Sequence, residues 1–213
     1  MIVKEETMKK LLLSLAMLVL FMATQAQANL LTNGDFDTDP GPLNNGNWGY
    51  FSSIPGWQEE NIFDNIELQT QATLGVTPHS GEYYAELNSH PAQHPSFSWG
   101  QTFDTDAGHI YKVVFWYRSR TGDDGSFKVE AGDYSNAGIL NSDNTQWSMF
   151  MFTFTADNHE ETLQFTSNDP GSDTVGHLID TVSVTKVPVP AAVWLFGTAL
   201  AGLFTARSRK AQS

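Results

Sequence analysis

An all-β sandwich is the fold class this 213-residue sequence predicts, and three observations predict it. Short segments alternate apolar and polar residues with period two, and clusters of Asp, Asn, Gly, Ser and Thr punctuate them. No segment of the central body carries a helix period of useful length. Aromatic residues make up 12% of the chain, enough large side chains to fill the space between two sheets.

The clearest strand runs from Ile110 to Arg118. Tyr111, Val113, Phe115 and Tyr117 share one face and Lys112, Val114, Trp116 and Arg118 the other, which makes the first face core. Trp147 to Thr155 follows the same rule, with Phe150, Phe152 and Phe154 inward and Met149, Met151 and Thr153 on the reverse. Further strands are expected at Ile66 to Gln69, Tyr83 to Leu87, Phe97 to Phe103, Phe127 to Ala131, Thr162 to Thr166 and His177 to Thr185. Thr121-Gly122-Asp123-Asp124-Gly125 reads as a hairpin loop, and Asn168-Asp169-Pro170-Gly171-Ser172-Asp173 as another.

Both ends of the chain look like addresses. Lys9-Lys10 precede the apolar stretch Leu11 to Ala23, and Ala26-Gln27-Ala28 offers small residues where a signal peptidase cuts, so residues 1–28 read as a signal peptide. At the other end Val187-Pro188-Val189-Pro190 leads into an uncharged apolar run, 191–206, followed by Arg207, Arg209 and Lys210 in the tail 207–213. As a helix that run reaches about 24 Å, and with its lead-in it just spans a hydrocarbon core of about 30 Å. Basic residues directly after it resist translocation, which keeps the tail cytoplasmic and the body outside.

Between these ends lies one domain, 29–186, of a size that builds its own core. It holds 22 of the 24 acidic residues and only five of the 11 basic ones, a surplus of 17 negative charges. Such a surface repels phosphate backbones, so a nucleic-acid partner is excluded. Acidity of this kind serves solubility, divalent-cation binding or repulsion between extended surface proteins. Cysteine is absent, so disulfides, zinc-thiolate sites and thiol nucleophiles are ruled out.

The order Val-Pro-Val-Pro-Ala-Ala-Val-Trp-Leu-Phe-Gly from Val187, with a small-residue helix and basic end, resembles the PEP-CTERM sorting signal in its Val-Pro-x-Pro-Ala-Ala form. Val189 stands where the commoner form has Glu. The resemblance covers the last two dozen or so residues, with Val187, Pro188, Val189, Pro190 and Ala191 as the motif. It implies processing by a membrane-embedded exosortase in a bacterium that makes exopolysaccharide.

The body resembles the galactose-binding-like jelly-roll family, which includes many carbohydrate-binding modules and a group of plant cell-wall proteins of poorly known function. The residues that carry this are Asn29-Leu30-Leu31-Thr32-Asn33-Gly34-Asp35-Phe36-Asp37, Pro55-Gly56-Trp57 and Gly81-Glu82-Tyr83-Tyr84-Ala85-Glu86-Leu87-Asn88. The strand from Tyr111 to Arg118 and the closing Leu178-Ile179-Asp180-Thr181-Val182-Ser183-Val184 complete the set. The resemblance implies a structural calcium near Asp37 and Asp180. Strand alternation places Asp180 on the face of Val182 and Val184, where an inward carboxylate needs a cation or hydrogen-bond donors. Carbonyls around Asn33 and Asp35 would complete a calcium shell, and backbone N–H groups in a turn are the alternative.

Trp48, Tyr50, Phe51 and Trp57 cluster in a Gly/Asn/Pro-rich stretch without clear strand period, and Trp99 sits in another. Flat rings on loops stack on sugar C–H groups while Asn, Gln, Glu and Arg bond hydroxyls. Trp57, after Pro-Gly, is expected in the core; Trp48, Tyr50 and Trp99 are the candidate sugar contacts. Asp35-x-Asp37-x-Asp39 starts like an EF-hand loop, but Pro40 replaces its turn glycine and Gly46 its bidentate Glu. His90 and His94 have the spacing of a helical zinc pair, which Pro91 and Pro95 undercut. Glu82 and Glu86 share a strand face with backbones roughly 13 Å apart, too far for a glycosidase pair. Whether Glu67 and Glu86 meet across neighbouring strands depends on register, which a sequence does not show. No nucleophile elbow, phosphate loop or His-Glu-x-x-His helix occurs.

The sequence thus predicts an exported, non-catalytic jelly-roll protein, transiently held in the membrane, with extracellular polysaccharide as partner. A matrix protein without sugar binding, or a polysaccharide hydrolase, are the rival readings.

Overall fold

The computed structural model of the chain describes residues 27–44, 46–60, 65–87, 97–122, 125–136, 138–140, 143–168 and 175–188. The signal peptide through Ala26, the His90 and His94 pair, and everything from Val189 onward, including Pro190, Ala191, Arg207, Arg209 and Lys210, lie outside the described residues. Among the described residues no helix is long and apolar enough to cross a membrane.

Period-two alternation becomes strands wherever the sequence shows it. In chain order they are β1 (Trp48–Phe51), β2 (Ser53–Ile54), β3 (Trp57–Glu59), β4 (Ile66–Thr70), β5 (Tyr83–Glu86), β6 (Ser98–Asp104) and β7 (Ile110–Arg118). Then come β8 (Ser126–Ala131), β9 (Tyr134–Ser135), β10 (Ile139–Leu140), β11 (Ser148–Thr155), β12 (Glu160–Ser167) and β13 (Leu178–Lys186). A single helical turn, α1 (Gln71–Leu74), follows β4 and stops at Gly75, whose φ of 72° supplies the left-handed cap.

All the strand pairs are antiparallel, in two sheets. A six-stranded sheet has the order β1-β4-β5-β13-β7-β11, and the other runs β10-β8-β12-β6-β3-β2 with β9 beside β8. The two segments expected to be hairpin loops are therefore crossovers. β7 and β13 belong to the six-stranded sheet, while β8 and β12 belong to its partner. Turn residues mark where the chain reverses; they do not encode which sheet it enters next.

The inner faces meet in an aromatic core. Trp57, on β3, and Trp99, on β6, are 1% and 0% exposed, with ring centroids 5.3 Å apart and nearly perpendicular. Phe36, Phe165 and Phe115 continue the cluster through contacts of 5.0–5.9 Å, within the range where aromatic pairs attract. Trp57 is core as expected. Trp99 is also core, so it is no sugar contact: the stretch around it pairs into β6, and alternation turns its ring between the sheets. Its Nε1 finds no hydrogen-bond partner there.

A bulge in β13 decides where its polar residues point. Register slips between Asp180 and Ser183, and Thr181 takes φ 52°. Leu178 and Asp180 therefore face outward, while Ile179, Val182 and Val184 face the core. The expectation that Asp180 shares the face of Val182 and Val184 is overturned, because one extra residue inverts the alternation. β5 pairs with β13 only at Leu178 and Ile179. Beyond the bulge the N-terminal segment takes over: the Leu30 N–H donates to the Val184 carbonyl at 2.9 Å and the Val182 N–H to the Gly34 carbonyl at 2.7 Å. Glycine is required at position 34, since a Cβ there would lie 2.1 Å from the Val182 oxygen.

Candidate functional site

The outer face of the six-stranded sheet is the unusual surface of this molecule. Its strand register lines up Tyr50, Glu67, Glu86, Leu178 and Arg118 in one row, and Trp48, Gln69 and Tyr84 in the next. An outward row is ordinarily solvated, yet Glu67 is 6% exposed, Gln69 1%, and Tyr84 and Glu86 0%. The segment after β4 folds back over them. Val76 and Leu74 pack with Tyr84, Leu178 and Trp147, whose indole N–H donates to the Thr77 carbonyl at 2.9 Å. This cover stops short of the β1 edge and leaves a cleft of about 190 Å³ lined by Trp48, Tyr50, Glu67, Gln69, Thr73 and Arg120.

Each lining group has a structural reason to be there. Trp48 and Tyr50 lie two apart on edge strand β1, so both rings face outward, with centroids 5.0 Å apart at 66°. The stretch read as loop is thus a strand, too short for its alternation to register. Thr73 sits on α1, its hydroxyl donating to the Asn47 carbonyl at 2.7 Å. Arg120, in the turn beyond β7, reaches Glu86 Oε1 with Nη1 at 2.9 Å.

Glu67 and Glu86 are direct cross-strand partners. One amide joins them: Gln69 Nε2 donates to Glu67 Oε1 at 2.8 Å and to Glu86 Oε2. The Tyr84 hydroxyl donates to Gln69 Oε1 at 3.3 Å, which fixes that amide's orientation. Glu86 Oε1 also accepts from the Gly176 N–H at 3.0 Å. Burial and the neighbouring Glu86 charge push Glu67 up to about 8, against weaker opposition from Gln69 and Arg120. Burial, aided by both carboxylates, raises Tyr50 to about 12 and holds the Tyr84 hydroxyl above its usual range as well.

Of the sequence candidates, the fold brings Trp48 and Tyr50 together and removes Trp99. Thr73 and Arg120 carried no signal of their own. The paired carboxylates and Gln69 did: polar residues inside the apolar runs Ile66-Glu67-Leu68-Gln69 and Tyr84-Ala85-Glu86-Leu87 mark a face whose polar groups need partners.

The calcium candidates do something else. Asp180 Oδ2 accepts the N–H groups of His79 at 2.7 Å and Ser80 at 3.0 Å, and Oδ1 accepts the Thr181 N–H at 2.5 Å and two hydroxyls at 3.3 Å. Burial still lifts it to about 6. Three backbone N–H groups already meet this carboxylate, which is the turn alternative to a cation. Asp37 Oδ1 accepts the N–H groups of Glu82 and Tyr83 at 2.7 and 3.1 Å, so the two carboxylates clasp one loop, residues 79–83, from its two ends. Asn33 Oδ1 takes the Thr38 N–H at 2.8 Å, and Asp35 Oδ1 caps the Asp37 N–H. Asn33 and Asp35 line a separate hollow of about 410 Å³ with Ser80 and Thr181. Among the described residues no three His, Asp or Glu side chains gather as a metal-ligand group. Of the sorting motif, Val187 bonds the Ile110 carbonyl at 2.8 Å, closing the compact unit Ala28–Val187, and Pro188 is exposed.

The fold is an all-β sandwich of two antiparallel sheets, a fold also found in carbohydrate-binding modules. Similar solved structures include a carbohydrate-binding module, TmCBM61, in complex with β-1,4-galactotriose (TM-score 0.50, 17% identity, 75% of this chain and 99% of that one). The Stig cyclase Fisc from Fischerella sp. TAU is also similar (TM-score 0.56, 14% identity, 78% of this chain and 100% of that one). These likenesses establish the fold alone, since one fold serves both binding and catalysis.

The chain belongs to the family described as "Protein of unknown function (DUF642)", whose model matches residues 29–185. Among curated proteins it is similar to Halomucin of Haloquadratum walsbyi, at 26% identity over 172 residues. That alignment covers 77% of this chain, which spans 2% of the relative's length.

Proposed function

We propose that this is an exported, non-catalytic surface or matrix protein that binds an uncharged polysaccharide in the cleft beside β1. One observation carries the reading: two aromatic rings on an edge strand line one cleft with Glu67, Gln69 and Arg120, which hydrogen bonds hold in place. Rings take the C–H face of a pyranose, and fixed polar groups take its hydroxyls. The fold is shared with a module solved with β-1,4-galactotriose, so β-1,4-galactan is the first ligand to try. Export is supported by the signal-peptide pattern of residues 1–28 and the Val-Pro-Val-Pro-Ala-Ala sorting pattern. Signal peptidase and an exosortase are then the processing partners, and the membrane holds the chain only until processing.

The meeting of Glu67 and Glu86 reopens the hydrolase reading, which chemistry then disfavours. A glycosidase needs both carboxyl groups free to face the sugar. Glu86 is fully buried, with Arg120 and Gly176 on one oxygen and Gln69 on the other, so a single carboxyl lines the cleft.

Affinity electrophoresis in galactan-containing gels, backed by a glycan array, tests the reading. The protein is expected to be retarded and Trp48→Ala to run freely; equal mobility of the two on every glycan would defeat it. Mass spectrometry of the mature protein from its host tests export, with new termini after Ala28 and near Pro190 expected. An intact cytosolic chain would sink that part.

A further inference from the structure

We propose that Glu67 and Glu86 hold a single proton between them, that Glu67 carries it, and that this neutral acid donates a hydrogen bond to an acceptor oxygen of an uncharged sugar seated against Trp48 and Tyr50. The inference rests on the sugar-binding reading and names what that site selects.

Counting charge and hydrogen bonds leads there. Two carboxyl groups stand opposite each other in the register and share one amide nitrogen, while one guanidinium, Arg120, approaches Glu86. With both ionised, a buried site would hold one surplus negative charge, which burial penalises. Arg120, Gly176 and Gln69 all donate to Glu86, so the ionised form belongs there. Glu67 receives one donor, on Oε1, which leaves its other oxygen to carry the proton beside the cleft.

The groups facing Glu67 from every packed element agree. On β1 it meets Tyr50, whose phenol keeps its proton to about 12; on β5, Glu86 and the Tyr84 hydroxyl, also raised; beyond β7, Arg120. Arg118 lies further along the row, its guanidinium 6.0 Å from the Trp147 ring. Two described histidines, His177 and His79, point elsewhere. His177 packs on Phe127 in the core, and His79, lowered by burial, stacks on Trp116 at 4.0 Å. Among these described groups Glu67 is the one that changes charge above neutrality, near 8. A cationic ligand would also neutralise an ionised Glu67, but it would have to sit beside Arg120, which lines the same cleft. A uronate fares no better against a site that gains negative charge.

Two measurements test this on the intact domain. Carbon-13 NMR titration of glutamate carboxyls, assigned with Glu67→Gln, is expected to show Glu67 still protonated at pH 7; titration in the ordinary carboxylate range would overturn the proposal whatever the ligand. Galactan affinity of the native protein is expected to hold up to about pH 8 and then fall, approaching tenfold per pH unit. Glu67→Gln is expected to bind more weakly, an amide being the poorer donor, with affinity independent of pH. Parallel losses in both proteins, or tighter binding to an amino sugar as pH rises, would overturn it. Absence of galactan binding at every pH would instead remove the sugar reading and the donor role, while the NMR titration still decides the shared proton.

Discussion

Replacing Glu67 by Gln should convert a pH-sensitive fold into a less sensitive one, and the size of the effect follows from its surroundings. The unfolded chain ionises this carboxyl at about 4.5, whereas the folded protein holds the proton to about 8. Below 4.5 both states are protonated and the residue is neutral in the balance. As pH rises from there the unfolded state ionises first, so the native protein loses stability until Glu67 itself ionises near 8. At about 1.4 kcal/mol per pKa unit, the accumulated loss is on the order of 1 kcal/mol at pH 5, 3 at pH 7 and 5 at pH 9. The substituted amide keeps the size of the side chain and an acceptor for Gln69 but has nothing to ionise. Urea unfolding of both proteins at these pH values, referenced to pH 4, measures the difference directly. Asp180, raised to about 6, contributes the same slope to each protein and cancels. Parallel stability profiles from pH 5 to 9 would refute the argument, because Glu67 would then be an ordinary carboxylate.

Trp48→Ala should weaken galactan binding by roughly thirtyfold, about 2 kcal/mol for a stacking anchor, with little change in melting temperature. Trp99→Ala should do the reverse, costing about 3–5 kcal/mol of stability through a core cavity while native-like protein keeps its affinity; calorimetry and affinity gels separate the two. Gly34→Ala should destabilise the fold by about 3 kcal/mol or more, since its methyl would press on the Val182 carbonyl and part the N-terminal segment from β13, and thermal melting reads this. Calcium should leave the melting midpoint unmoved because three backbone N–H groups already meet the Asp180 carboxylate. A rise of several degrees on adding calcium, absent in Asp180→Asn, would show a cation taking the place of those donors.

How much of this was written in the chain depends on the range of the physics involved. Strand position and facing are local, so β7 and β11 could be read residue by residue from alternation, and Trp57 could be placed in the core. The same local rule failed for β1, four residues long at a sheet edge, and for Asp180, where a bulge at Thr181 inverts the alternation. Sheet membership is not local either: nothing in the Gly-Asp-Asp-Gly turn after β7 says that the next strand belongs to the opposite sheet. Composition, the all-β class, the core faces of β7 and β11 and the address-like patterns at the two ends were properties of the sequence by itself. Only tertiary structure decided that Glu67 and Glu86 stand face to face beneath Gln69, that Arg120 closes on one of them, and that Trp48 and Tyr50 wall the opening. These residues are separated by up to some seventy positions, and cross-strand register, set by burial of the opposite faces, is what brings them within hydrogen-bonding reach.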